Sequence, residues 1–476
     1  MVVKASHHKI FVIVTVSFTA MSLGFTFGHM SGMVRALQRR DEDIMLSENE
    51  IFLTVSFASL SSVLGVMFVV ISDVIGRRWS FILFSAPLVL SWIVLYYART
   101  FSAFMISRFL AGMAAGAFSI LNLVGIAEFT SPNSRAILLS LVSMVTPAFG
   151  NVTSHLLGII INWRTLTVVG LSLSIIHLFL PYFCIESPQW LASKGKFEDC
   201  ATAYRKIHGS SPSSEEELRL LIKLETNKQK ASVEMNLNNS GLKKLLLAFK
   251  KGYFWDLIIM LIFLFTYYFA AGRLVFSTLA TVVLGDITGS PDILLYTFVV
   301  DGFIFVGTCL SCVLIKKTSV RVLLFSSGLI ANVILILLSL CLYYKNSEVY
   351  FQWINVVLLA FYFIIVNAGP YPVLEILLGE MFPIELKMYC FLLTSPFFAV
   401  SIYFSIVLLP KFISALGYHG LFLMNAGIMF VCLGYFYAKL PETKGKTLQE
   451  IESYFKTKNF DVDEVLSKNE QIKTLI

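Results

Sequence analysis

Residues 353–387 read WINVVLLAFYFIIVNAGPYPVLEILLGEMFPIELK. Positions 353–379 carry a single charge, Glu375, and beyond them come Glu380 and, seven positions on, Lys387. An apolar run of this length spans about 30 Å of hydrocarbon as a helix. Lipid offers backbone groups no other partners, so the run must be helical. The same device stands earlier in the chain. The apolar run 104–127 is followed by Glu128 and, seven positions on, Arg135. Glu128 and Glu380 are 252 positions apart, and so are Arg135 and Lys387. Glu186 and Glu442 stand 256 apart, Arg78 and Arg321 243 apart. A half-length period in acids and bases predicts two related halves.

Working outward, twelve such runs emerge, near 10–34, 51–71, 80–98, 104–127, 137–161, 166–185, 254–283, 293–315, 322–343, 353–379, 388–412 and 420–438. The expected fold is an all-α membrane protein with two six-helix halves. Residues 1–185 form the first half, 186–253 a loop with short amphipathic helices, 254–440 the second half and 441–476 a tail. Composition agrees: 57% of the 476 residues are hydrophobic and 14% charged, against roughly a quarter charged in a soluble domain. The +7 net charge sits between apolar runs, so the basic residues read as topology signals and not as a nucleic-acid surface. Lys4, Lys9, Arg77, Arg78, Lys316, Lys317, Arg321 and Lys439 fall on one side in this scheme, which predicts both termini in the cytoplasm. Arg35, Arg39 and Arg40 on the other side run against the trend. The first run is too long for a signal-peptide core. In the loop, Glu215–Leu224 and Leu242–Lys251 alternate apolar and charged residues with helical period. Cys309 and Cys312 make a lone C-x-x-C, which reads as two small helix residues.

Several motifs carry mechanism. Asp73-Val74-Ile75-Gly76-Arg77-Arg78 turns sharply after the second run, with Gly76 at the turn. Arg108 opens the fourth run in Ser107-Arg108-Phe109-Leu110-Ala111-Gly112, and Gly112 and Gly116 permit close helix approach. With Glu186-Ser187-Pro188-Gln189-Trp190-Leu191, Gly379-Glu380-Met381-Phe382-Pro383 and Pro441-Glu442-Thr443-Lys444-Gly445-Lys446-Thr447-Leu448 in the same order, the chain resembles the sugar porter family of the major facilitator superfamily. It is most similar there to insect facilitated trehalose and hexose transporters. The resemblance implies alternating access and a sugar substrate. It also implies a cytoplasmic latch, closed in the outward-open state, from Asp73, Arg77, Arg78, Glu128, Arg135, Glu186, Arg321, Glu380 and Glu442.

The solute site departs from the family pattern. Where the resemblance implies paired glutamines in span seven, the chain has Tyr267-Tyr268-Phe269-Ala270-Ala271-Gly272-Arg273. Ser143 stands for the span-five glutamine, and Gly369-Pro370-Tyr371-Pro372-Val373 lacks the stacking tryptophan. Ser143, Tyr267, Tyr268 and Tyr371 are therefore solute-binding candidates, with Arg273, Asp301 and Glu375, ionisable groups inside apolar runs that tend to face a cavity or each other. Arg273 is expected to face the cavity with Asp301 or Glu375 as counter-charge. Where proton-coupled family members carry a carboxylate, Phe27-Gly28-His29-Met30-Ser31-Gly32 has Met30, which favours uniport. His29 reads as a packed histidine.

The expected function is facilitative transport of a small polar solute, most of all a sugar such as trehalose or a hexose, in the plasma membrane. A carrier of a charged organic solute and a non-transporting nutrient sensor are the alternatives. No phosphate loop, metal-ligand cluster or nucleophile–base pair is present in the sequence, so no cofactor, metal or catalysis is expected. The partners are the solute and the bilayer.

Overall fold

A computed structural model describes residues 7–39, 44–234, 249–250, 252–272, 293–344, 349–382, 387–406, 409–462 and 464. Ten helical stretches among them are long and apolar enough to cross a membrane. Helices Ile293–Lys317 and Lys387–Ile406 take the eighth and eleventh places, making twelve spans.

The first half comprises His7–Arg39, Glu48–Phe68, Arg77–Tyr97, Phe101–Phe129, Pro132–Ile160 and Trp163–Phe179. Ser47 caps the second span with a reciprocal bond: Ser47 N donates to Glu50 Oε2 at 2.8 Å and Glu50 N to Ser47 Oγ at 3.3 Å. Span five contains a π-helical turn, Leu141–Val145, around Ser143. The second half comprises Gly252–Ala270, Ile293–Lys317, Val320–Tyr343, Val349–Glu380, Lys387–Ile406 and Leu409–Lys439. The expected seventh span runs to 283, and its last part, including Arg273, lies outside the described residues.

Three expectations need correction. Span ten is not continuous: it breaks at Gly369, because Pro370 has no N–H for the helical ladder and restarts it as a first-turn residue. Span eleven is described as far as Ile406, and the helix of the twelfth span already includes Leu409, bending at Gly417, whose φ of 66° suits glycine. In the loop, the helix expected over Glu215–Leu224 is part of a longer one, Pro212–Glu234. Helices Pro188–Ser193 and Phe197–His208 precede it. Most of Leu242–Lys251 lies outside the described residues.

The repeat is visible in packing. Span one packs on five, two on four and three on six; correspondingly seven packs on eleven, eight on ten and nine on twelve. Close approach explains the tightest pair. A Cβ at Gly116 would lie 2.6 Å from the Ser62 carbonyl carbon, and one at Gly65 would lie 2.7 Å from Ala117 N. The halves meet along spans two and eleven and spans five and eight. Helix Phe197–His208 contacts span one, and helix Pro212–Glu234 contacts the tail helix Leu448–Thr457. This end of the bundle is called the linker face below. The tail helix starts with a Thr447–Glu450 capping box and buries Leu448, Ile451 and Phe455.

Candidate functional site

At the linker face of the first half, Gly76 (φ 97°) turns the chain so that span three opens with Arg77 buried at 2% exposure. Its guanidinium cannot lose its proton, and every side of it is answered. Arg77 Nη2 pairs with Glu128 Oε1 at 3.0 Å, and Nη1 with Asp73 Oδ1 at 2.9 Å and Ser72 Oγ at 3.1 Å. Ser187 Oγ donates to Glu128 Oε2 at 2.6 Å. Glu186 works on the backbone: Arg77 N donates to Oε1 at 2.8 Å and Arg78 N to Oε2 at 3.3 Å. Burial pushes the Glu186 carboxyl up, opposed by these amide bonds. The carboxylate thereby caps the positive end of span three.

The second half repeats this arrangement with weaker parts. Val320 N and Arg321 N donate to Glu442 at 3.2 and 3.1 Å. Arg321 Nη2 reaches Tyr437 O at 2.6 Å, as Arg78 Nη2 reaches Tyr182 O at 2.6 Å. Val320, however, holds the position corresponding to Arg77, so no buried guanidinium sits here. Lys444 Nζ instead caps the end of span eight at the carbonyls of Ile315 (2.9 Å) and Thr318 (2.6 Å). Buried Lys387 donates to Gly379 O at 2.5 Å.

Of the nine residues expected in one latch, two bridge the halves directly. Arg135 Nη1 lies 3.9 Å from Glu380 Oε1, and the same nitrogen donates to Lys446 O at 3.1 Å. Nearby, Ser140 Oγ and Ser311 Oγ, on spans five and eight, are 2.6 Å apart. Asp73, Arg77, Arg78, Glu128 and Glu186 work within the first half, Arg321 and Glu442 within the second. Ser140 and Ser311 carry no sequence signature as isolated hydroxyls, and Ser187 and Lys446, though inside the quoted motifs, were not expected to take part through a hydroxyl and a backbone carbonyl.

Nearer the opposite face, Asp301 of span eight turns to span five. Asn151 Nδ2 donates to Asp301 Oδ1 at 3.2 Å, and His155 Nδ1 pairs with Asp301 Oδ2. Asn151 and His155 are four positions apart on one helix face, a pairing the sequence reading missed. Tyr268 and Tyr371 meet edge to face at 4.9 Å, and Tyr371 Oη donates to Tyr268 O at 3.2 Å. Tyr267 points elsewhere. It is fully buried 6.2 Å from Phe436 of span twelve, and a methyl added at Gly328 of span nine would sit 3.1 Å from its hydroxyl. Ser143 Oγ donates to Leu139 O at 2.6 Å, within its own helix. Glu375 is partly buried in the segment after the span-ten break. The proposed counter-charge role for Arg273 falls outside the described residues. His29 is packed, as expected: Nε2 bonds Trp163 O at 3.0 Å and Thr167 Oγ1 at 2.9 Å.

Known proteins share this architecture. The solved proton:xylose symporter XylE bound to 6-bromo-6-deoxy-D-glucose superposes with a TM-score of 0.78 at 20% identity, covering 94% of this chain and 99% of that one. This likeness establishes the major facilitator fold. A facilitated trehalose transporter Tret1 of Polypedilum vanderplanki is 24% identical over 80% of this chain and 74% of its own length. The Tret1 of Drosophila virilis is 25% identical over 80% of this chain, which spans 41% of that longer protein. The family described as Sugar (and other) transporter matches residues 12–455, and the chain belongs to it.

Proposed function

We propose that this protein is a facilitative sugar carrier of the plasma membrane, working by alternating access with the linker face and both termini in the cytoplasm. One observation carries the reading. The two halves are joined by small, breakable polar contacts at two depths: Arg135–Glu380 and Ser140–Ser311 near the linker face, and Asp301 with Asn151 and His155 nearer the opposite face. Interfaces of this kind can exchange open and closed states at either end, as a solute site between two halves requires. Family membership supplies the solute class, and Tret1 relatives favour a hexose or trehalose. Asp73, Arg77, Arg78, Glu128, Arg135, Glu186, Arg321, Glu380 and Glu442 form the cytoplasmic latch machinery, Arg135–Glu380 being its closing contact. Tyr268, Tyr371, Asp301 and Glu375 are the favoured solute-facing residues. Met30, which cannot titrate, argues for uniport. Uptake into proteoliposomes of labelled trehalose, glucose, fructose and charged metabolites, with and without a pH gradient, tests the reading. Saturable sugar uptake that a pH gradient leaves unchanged is expected. Uptake of charged metabolites alone, or of nothing, would overturn it.

A further inference from the structure

We propose that Arg108 holds a small inorganic anion of chloride's size and charge, in a narrow cleft between spans one, two and four. Arg108 is 1% exposed in span four. Its Nε and Nη1 find no hydrogen-bond partner among the described residues. The cleft it lines is otherwise formed by Thr26, Phe27 and Met30 of span one, Ala58 of span two, and Ala111, Gly112 and Ala115 of its own span. None of these side chains carries charge.

The other deeply buried arginines are answered differently. Arg77 faces Glu128 and Asp73, and Arg135 faces Glu380. Among the described residues no carboxylate answers Arg108. Its titratable neighbour, His29, gives Nε2 to Trp163 and Thr167 and supplies no negative charge. A guanidinium stays protonated under all ordinary conditions. An isolated cation at membrane depth is strongly disfavoured and needs a counter-charge. The cleft bounds the size of that partner. Beside Thr26, Phe27 and Met30 its walls are alanines and a glycine, and a Cβ at Gly112 would already overlap the Ala58 carbonyl carbon at 2.9 Å. A monatomic anion meets the charge, and with a cleft of about 10 Å³ the walls must give slightly to take it; an organic anion exceeds the space.

The inference does not depend on which solute is carried, and its readout is melting of the purified full-length protein in detergent. Chloride is titrated against gluconate at constant ionic strength. The wild type is expected to melt several degrees higher in chloride, with saturation, and not in gluconate. Arg108→Gln should lose this dependence. Met30→Asp places a carboxylate on the same cleft and should melt equally in both salts. Equal melting of the wild type in chloride and gluconate would overturn the proposal. So would a chloride response that survives in Met30→Asp, a result that still decides the matter if Arg108→Gln fails to fold. Sugar uptake is measured separately, so a wrong solute assignment leaves this result intact.

Discussion

Asp301 of span eight binds Asn151 and His155 of span five, so one carboxylate ties the two halves together well away from the linker face. Ser140 and Ser311 join the same two helices near that face. From Ser140 to Asn151 is 11 positions and from Ser311 back to Asp301 is 10, so the two rungs lie roughly 15 Å apart on antiparallel helices. An opening at either end must break one rung.

Breaking the far rung should be non-additive. Asp301→Asn and His155→Ala are each expected to favour the state open at the far face, by about 1–3 kcal/mol, or roughly 5–150-fold in population. The double variant should be no worse than the stronger single one, because both remove the same contact. The rate at which an impermeant thiol reagent labels a cysteine introduced at the far end of span five measures the population. Additive effects would show the two side chains acting independently.

The near rung lends itself to cross-linking. Ser140 and Ser311 hydroxyls at 2.6 Å place two engineered thiols within bonding distance. Ser140→Cys with Ser311→Cys should oxidise to a disulfide that halts uptake, and reductant should restore it. Adding Glu380→Gln removes the ion pair to Arg135. Both side chains are buried, so leaving Arg135 unanswered disfavours the closed state and cross-linking should slow by about 10-fold or more. Unchanged uptake after complete cross-linking would show that spans five and eight do not separate here during transport.

The two halves should respond unequally to loss of a linker-face arginine, because Val320 and not Arg321 stands where Arg77 does. Arg77 is 2% exposed with two carboxylates on it, so Arg77→Ala strands buried charge and should cost about 3–5 kcal/mol. Lysine should not rescue it, since a point charge cannot serve Glu128, Asp73 and Ser72 at once. Arg321 contacts the Tyr437 carbonyl at the surface, and Arg321→Ala should cost about 1 kcal/mol or less. Melting temperatures of the detergent-solubilised variants report both.

Much of this was legible beforehand. Twelve apolar runs, the Glu128/Glu380 period and the motif order fixed the spans, because lipid leaves a greasy run one solution. The period also announced that Glu186/Glu442 and Arg78/Arg321 hold corresponding places, and in both halves the glutamate accepts the backbone N–H groups that open span three or span nine. What stayed hidden was direction. Nothing in a string tells that Tyr267 turns towards spans nine and twelve while its neighbour Tyr268 turns to Tyr371, or that Asp301 chooses span five. Helix rotation sets those outcomes, and a uniformly apolar helix carries no pattern from which to read its rotation. The helix Phe197–His208 was legible and is absent from the expectations all the same: Cys200, Ala203, Tyr204 and Ile207 stand at i, i+3, i+4 and i+7, and they are the face it buries.

Acid should loosen the linker-face helices before the spans. Glu452, buried between Lys228 at 3.1 Å and Lys456, is held down to about 2 by those two ammonium groups, which outweigh burial. A carboxyl with a lowered folded value stabilises above its unfolded range and loses that contribution as pH falls from roughly 5 towards 2. His208 is pushed down to about 4 by burial, with Lys9 and Arg135 adding to it. The unfolded histidine takes up its proton near 6.5, so this site destabilises progressively as pH drops from 6.5 towards 4. Protection factors of residues 197–234, that is exchange rates corrected for the intrinsic pH dependence of amide exchange, should therefore fall between pH 7 and 5 with the spans still protected. His208→Phe should flatten that first phase and leave the Glu452 phase below pH 5. Protection factors that stay flat from pH 7 to 5 would mean His208 is solvated in solution.

Tyr267 and Tyr371 separate packing from solute contact. The Tyr267 hydroxyl is buried with no hydrogen-bond partner, and such a group costs about 1–3 kcal/mol. Tyr267→Phe should leave stability unchanged or raise it by up to about 1 kcal/mol, with uptake KM unaltered, because the ring faces spans nine and twelve. Tyr371 stands opposite Tyr268 with its hydroxyl on that residue's carbonyl. Tyr371→Phe removes one bond, worth about 1 kcal/mol, whereas Tyr371→Ala also removes the ring contact, worth about another 0.5–1.5 kcal/mol. If the pair lines the solute path, Tyr371→Ala raises KM by about 10-fold, more than its stability loss explains, and Tyr371→Phe raises it little. The comparison is made at equal amounts of folded carrier. A KM change in Tyr267→Phe with none in Tyr371→Ala would move the path to the other side of span seven.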